Sequence, residues 1–345
     1  MQQAFHSLNH RGQVRRLASL ARSALRAYSL PGARLRLLAH SWTTTFRVTA
    51  SSGDQYVLRV HPRSQRSVEP VRSELLWLAA LWEDGLSVPQ PVLNQEQRLV
   101  TWATDPGVPE PRLCVLLRWM EGRFLYEGLT PSHLAQAGDL MARLHGHAAQ
   151  WRPPPEFTRH RVDNLDLTQR DQDDPFDPAV AERAIQAVTS GSTTEAGTVM
   201  AAAIPRIWAT LKALREESDS FGLVHADLHH RNFLFGKRGI GAIDFDCCGY
   251  GHWLYDLVVP LTQLDRHPAY AALREALFTG YCRRRSLPAD QEAHLETFFA
   301  LRKVQELVWL TKQKEQFALV DPSFHDWWDE VVAAALAGLR SFMER

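Results

Sequence analysis

A chain of 345 residues that is 45% hydrophobic has enough apolar matter for two domains, or for one large domain of two lobes. Its 39 basic residues balance its 39 acidic ones, so bulk charge gives no hint of a nucleic-acid or polyacid partner. No apolar run approaches the ~18 residues that span a bilayer, and Cys114, Cys247, Cys248 and Cys282 show neither CxxC spacing nor a disulfide framework. A reduced, cytoplasmic protein with no membrane partner is the expectation.

No Asp or Glu precedes Asp54, and the early basic residues are arginine alone. That bias resembles a targeting presequence. The competing reading is an ordinary basic helix within residues 1–30. "QVRRLASLARSALRAYSL" sets Val14, Leu17, Leu20, Ala21, Leu25 and Tyr28 at helical spacing, and Pro31–Gly32 ends it. The pattern runs into folded-looking sequence without a break, which favours the helix.

Residues 31–118 read as a mostly antiparallel sheet with one inserted helix. "TTFRVTA" and "QYVLRV" are strands split by the turn "SSGD". In the second strand Tyr56, Leu58 and Val60 share one face, with Val57 and Arg59 on the other. A helix from Val68 to Trp82 carries Val71, Leu75, Leu78 and Trp82 as a stripe, and Glu74 borders it. "RLVTWA" and "RLCVLLRW" are two more strands around "TDPGVPEP". "MEGR" reads as a crossing point, and residues 119–345 read as mostly helical. Thr130 caps a helix with Pro131 at its first position, "WRPPPEF" stops it, residues 163–180 form a polar excursion, and further helices follow. The fold class expected is α+β and bilobal, with a sheet lobe before a larger helical lobe.

"VHADLHHRN", Val224 to Asn232, concentrates the chemistry. Two readings compete. His225, Asp227 and His229 alternate and suit a zinc or iron site. Alternatively, Asp227 accepts the proton of an acceptor hydroxyl, Asn232 holds a metal, and a second aspartate bridges that metal to nucleotide phosphates. The downstream "NFLFGKRGIGAIDFD" reads as strand, turn, strand, with Asp244 at the end. Only the second reading gives Asn232 and Asp244 a role, and it makes "FLF" the buried strand that spaces the two ligands.

"HADLHHRN" followed by "IDFD" resembles the catalytic and metal-binding loops of the aminoglycoside phosphotransferase, choline kinase and homoserine kinase-like superfamily, relatives of protein kinases. "DCCGYGHWLYDL" is also similar, and the likeness runs from "LLAHSWTTTFRV" to "VWLTKQ". The resemblance implies ATP and Mg2+ as cofactors. Asp227 would be the catalytic base and His225 the brace of its loop. Asn232 and Asp244 would be the magnesium ligands, with a less definite part for Asp246. Asp256 would cap the catalytic loop. Arg59 would face the α/β-phosphates, where the kinase fold usually has lysine, with Glu74 as partner and Glu69 as a weaker rival. Such a pair at ~4 Å is worth roughly 4 kcal/mol before desolvation at an effective dielectric of ~20. No GxGxxG loop is present. Ser41, Thr43, Thr44 and Thr45 in "HSWTTTF" stand in its place, and backbone groups from Leu117 to Trp119 would meet the adenine edge.

The expected activity is transfer of the γ-phosphate to a hydroxyl of a small molecule, of homoserine, choline or ethanolamine, sugar or aminoglycoside type. Glu306, Trp309, Asp326, Trp327, Trp328 and Asp329 are candidates for the acceptor pocket, suiting an amine-bearing acceptor. Two alternatives stand beside it: a bacterial stress-type protein Ser/Thr kinase, and a nucleotide-binding pseudokinase. The sequence gives no oligomeric state.

Overall fold

The computed structural model describes residues 5–40, 43–62, 68–125, 127–167, 174–237, 239–287, 293–320 and 324–345, and of 315–320 and 324–326 the backbone only. Two compact units emerge. The first comprises Met1–Arg123, Arg152–Thr158 and Leu234–Asp246; the second comprises Phe124–Trp151, Arg159–Phe233 and Cys247–Arg345.

In the first unit, helix α1 (His10–Arg26) precedes strands β1 (Arg34–His40), β2 (Thr44–Thr49) and β3 (Gln55–Val60). Helix α2 (Val68–Glu83) and strands β4 (Thr101–Asp105) and β5 (Val108–Arg118) follow. The sheet is antiparallel, in the order β1-β2-β3-β5-β4. Asn9 caps α1 by accepting from the Gly12 amide at 2.9 Å. The helix then buries Leu17, Leu20, Ala21, Ala24 and Leu25 in one core with Phe46, Val48, Leu58 and Leu116. Arg16 donates to the Gly107 carbonyl at 2.9 Å and Ser19 to Asp105 at 2.7 Å, tying the helix to the β4–β5 turn. The basic helix is thus packed into the core of the sheet unit.

Helix α2 buries Val71, Glu74, Leu75, Trp77, Leu78 and Leu81. Trp82, expected on that stripe, is 45% exposed. It lies in the last turn, where Leu81 takes the buried position. Strand β1 was not foreseen. Arg34-Leu35-Arg36-Leu37 does alternate, but the run is short and its residues are mostly exposed at the sheet edge.

The second unit holds α3 (Pro131–Gln150), α4 (Pro178–Gly191), α5 (Thr194–Ala213) and strand β6 (Phe221–Val224). After the hairpin of β7 (Phe233–Gly236) and β8 (Gly239–Ala242) come β9 (Gly249–His252), α6 (Trp253–Thr262), α7 (Tyr270–Cys282), α8 (Leu295–Val320) and α9 (Phe324–Glu344). The division differs from the expected break at 118. The hairpin residues 234–246 belong to the first unit because their hydrogen bonds go there. Ala242 donates to Ser87 at 3.0 Å, and Arg123 and Phe235 exchange a pair at 3.0 Å. Gly241 permits the approach, since a Cβ there would stand 2.6 Å from Met120 Cε and 2.8 Å from the Ser87 carbonyl.

Among the described residues no helix is long and apolar enough to cross a membrane.

Candidate active site

In the second unit β6 pairs antiparallel with β9, from Phe221 opposite His252 to Val224 opposite Gly249. This ribbon delivers the chain to His225. Gly249 and Gly251 let β9 lie against the segment before Asp163. A Cβ on Gly249 would meet the His160 carbonyl at 2.5 Å, and one on Gly251 would meet Val162 at 2.3 Å.

Asp256, in the first turn of α6, is fully buried and accepts from the His225 amide at 2.8 Å and the Ala226 amide at 2.6 Å. Ala226 has φ 67°, the left-handed region that a residue with a Cβ enters at a cost of ~1–2 kcal/mol. Charge-assisted bonds to a buried carboxylate offset that cost. The second donor group to Asp256 is His145 of α3, with Nε2 at 3.0 Å, while its Nδ1 lies 2.9 Å from the Tyr281 hydroxyl. Burial pushes His145 below its usual pKa, against the opposing pull of Asp256. A neutral ring facing a carboxylate carries its proton on Nε2, so Nδ1 accepts from Tyr281. The ring also stacks on Trp253 at 4.6 Å.

Asp227 follows this pinned turn. Its carbonyl accepts from the Asn232 side chain at 2.7 Å and from the His229 amide at 2.8 Å, closing the loop on itself. His225, fully buried, takes the Asp227 amide on Nδ1 at 3.3 Å. The Asp227 side chain is 26% exposed. Burial alone would raise its pKa. The His229 hydrogen bond and the charges of Arg302, His229 and His225 outweigh burial and hold it below the ordinary carboxylate value. The group is therefore ionised and partly open, as a proton acceptor must be. Arg302 of α8 donates to Asp227 Oδ1 at 2.8 Å.

In the first unit Arg59 and Glu74 form a two-pronged pair at 2.7 and 2.8 Å, with side chains 10% and 1% exposed. Burial alone would lower the guanidinium's pKa. Glu74 first, then Asp244 and Asp246, more than reverse that and raise it. Glu69 is exposed. Asp244 is exposed with φ 66°, held, like Ala226, in the left-handed region. The threonines sort by parity. Thr44 is 4% exposed, on the face of Phe46 and Val48, and its hydroxyl engages His40 Nδ1 at 2.7 Å. It is therefore corrected from phosphate contact to core residue. Thr45, directly opposite Arg59, is the hydroxyl on the Arg59 face. Thr43 is half-buried, and Ser41 lies outside the described residues.

At the expected adenine contact the backbone is largely paired. Leu117 pairs with Val57, and the amides of Arg118 and Trp119 donate to Gln90 and Gln55 at 2.8 and 3.1 Å. The Trp119 ring lies under Arg47 at 4.4 Å. Among the described residues the next amides, Met120 to Gly122, make no backbone bond.

Of the acceptor candidates, Trp328 is buried beneath Lys314, a core role. Trp309 is 40% exposed, Glu306 and Trp327 are half-buried, Asp329 is exposed, and the Asp326 side chain lies outside the described residues. Among the described residues no group of three or more His, Cys, Asp or Glu could hold a metal ion, so the zinc reading has no geometric support. Asn232 commits its amide nitrogen to the Asp227 carbonyl, and Asp244 is exposed. Sequence reasoning missed His145 and Arg302, which join the site from α3 and α8 without any local motif.

A solved microcompartment-associated aminopropanol kinase is similar, with 29% identity, a TM-score of 0.74, and coverage of 93% of this chain and 95% of that one. An amicoumacin kinase solved with AMP-PNP, Ca2+ and amicoumacin shares the fold, with a TM-score of 0.69, 20% identity, and coverage of 88% and 86%. A Deinococcus radiodurans protein is 29% identical over 290 residues, 82% of this chain and 79% of its own length. The model of the phosphotransferase enzyme family matches residues 34–295, spanning the sheet, both loops and Asp256, and the chain belongs to that family.

Proposed function

We propose that the protein transfers the γ-phosphate of ATP to a hydroxyl group of a small molecule. The observation that carries this reading is Asp227: an ionised, partly exposed carboxylate on a loop whose backbone is fixed by a buried aspartate. Such a group orients a hydroxyl and takes its proton as the oxygen attacks. Arg59, locked by Glu74, supplies a fixed positive charge for phosphate oxygens. Its planar fork suits two oxygens at once, where lysine would be a point charge. Asn232 Oδ1 and the Asp244 carboxylate are each oxygen donors suited to magnesium, which would neutralise charge on the phosphates.

A small acceptor is favoured over a protein side chain. Between Asp246 and Asp256 the chain is used up by the 3-10 turn Phe245–Cys247, strand β9 and the first turn of α6. No stretch is left there to dock a peptide. The likeness to the aminopropanol kinase supports an alcohol carrying an amine, and Glu306 with Trp309 supplies a carboxylate and an aromatic face on α8.

ADP release is the test, with ATP, magnesium and two acceptor panels. One panel holds amino alcohols, homoserine, choline, sugars and aminoglycosides; the other holds generic protein substrates. Turnover with the first panel, abolished by Asp227→Asn at nearly unchanged ATP affinity, is expected. Transfer to proteins alone would overturn the small-molecule reading.

A further inference from the structure

The two oxygens of Asp227 are held unequally. Oδ1 accepts from Arg302 Nη2 at 2.8 Å. Among the described residues, the contacts of Oδ2 are long: 3.4 Å from Asn232 Nδ2 and 3.5 Å from His229 Nε2, at the limit of hydrogen bonding. Arg302 is itself anchored. Its Nη1 donates to the Tyr255 hydroxyl at 3.2 Å, and that hydroxyl donates to Gln305 Oε1 at 2.6 Å. Gln305 Nε2 in turn donates to the carbonyls of Val162 and Asn164, both at 2.7 Å. Tyr255 and Gln305 are buried, and Arg302 and Gln305 lie one turn apart on α8. A rigid chain of donors, built from a helix far along the sequence, therefore ends on one oxygen of the base.

We propose that Arg302 is a positioning residue of the phosphotransfer reaction: it clamps Asp227 Oδ1 so that Oδ2 faces the acceptor. This rests on the function proposed above. In the step it serves, the acceptor oxygen forms a bond to the γ-phosphorus as that phosphorus parts from the β,γ-bridging oxygen. The hydroxyl proton passes to Asp227 Oδ2, and ADP leaves with the bridging oxygen. A carboxylate free to rotate would present the wrong oxygen, or the right one at the wrong angle. Misplacement by about 1 Å can cost ~100-fold. A planar guanidinium that spans Asp227 and Tyr255 fixes both direction and distance, which a single-point cation does less well.

The test uses water as the acceptor, so that no particular alcohol is required. ATP hydrolysis by the full chain with magnesium is followed for the wild type, Asp227→Asn, Arg302→Met and Arg302→Lys. If the wild type releases no ADP with water or with any acceptor of the two panels above, or if Asp227→Asn releases it normally, the function proposed above fails; should only an acceptor support release, the same variants are compared with that acceptor. If both behave as expected, Arg302→Met should lose roughly 100-fold in kcat while KM for ATP stays within about twofold. Arg302→Lys should recover at least about tenfold of that loss, because it can still reach Oδ1. A crystal structure of Arg302→Met should show the Asp227 carboxylate turned or in two positions. Should Arg302→Met not fold, Tyr255→Phe keeps the ring packed and removes only the anchor. A fall of about threefold to tenfold in kcat is then expected. Arg302→Met or Tyr255→Phe turning over within twofold of wild type, with Asp227→Asn inactive, overturns the proposal.

Discussion

Replacing Arg59 by methionine strands a carboxylate inside the first unit. Glu74 is 1% exposed and receives both prongs of the guanidinium, at 2.7 and 2.8 Å, so water cannot take over the lost bonds without opening α2 from β3. Removing one member of such a buried pair costs about 3–5 kcal/mol. At ~1.4 kcal/mol per factor of ten, the opening equilibrium around the pair should rise by roughly two to three and a half orders of magnitude. Native-state hydrogen exchange reads this directly, through the amides of Gln55–Val60 and Val68–Glu83. A whole-chain melting curve would mix two units. Arg59→Met should accelerate exchange in those two elements and leave α3 and α7 nearly untouched. The double variant Arg59→Met with Glu74→Leu should regain most of the protection, because the stranded charge is gone. Arg59→Lys should fall between, keeping the charge but losing one prong. Exchange in Arg59→Met within threefold of wild type would show that Glu74 finds other compensation and that the pair is not a structural link.

Asp256→Ala removes the acceptor of two buried amides and of His145, at about 1–3 kcal/mol per orphaned group, and should lower both the melting temperature and turnover; a stable, active variant would contradict the brace. His145 is held below its unfolded pKa, so its neutral form favours the fold at pH above about 6.5, and that contribution drains away as pH falls below this value. Stability measured from pH 7.5 to 5 should therefore decline more steeply in the wild type than in His145→Gln, and parallel slopes would refute this. Asp244→Ala should weaken magnesium-dependent nucleotide affinity as well as turnover, whereas Asp227→Asn should spare affinity; calorimetric titration of both variants distinguishes the two roles.

Much of this architecture is written in local patterns. The alternation in "QYVLRV" puts Arg59 opposite the core face, and the turn spacing of α2 puts Glu74 at the edge of its stripe; the two meet as that geometry requires. Parity also governs Thr44, which shares a face with Phe46 and Val48, so the period of two already assigned it to the core. Strand β9 was illegible because "GYGH" has poor strand propensity. Its glycines answer to His160 and Val162, which the sequence does not mark as neighbours. Arg302 and His145 were invisible for a related reason. Their partners Asp227 and Asp256 lie 75 and 111 residues away, and neither residue sits in a recognisable pattern. One hint was available for Arg302, a charged residue one turn from the buried Phe298 and Gln305. An arginine in that setting has a partner inside.

Helix α1 lies wholly before residue 34, where the family match begins, yet it completes the core of the sheet unit. A chain started at Arg34 would keep every shared motif and still lay bare Phe46, Val48, Leu58 and Leu116, residues at most 2% exposed in the full fold. Bare apolar faces of sheets seek other copies. Trimming this protein to its family boundary should therefore yield aggregates, and adding residues 1–33 back as a separate peptide should rescue solubility by re-covering that face. The opening segment is thus an internal cover for the sheet.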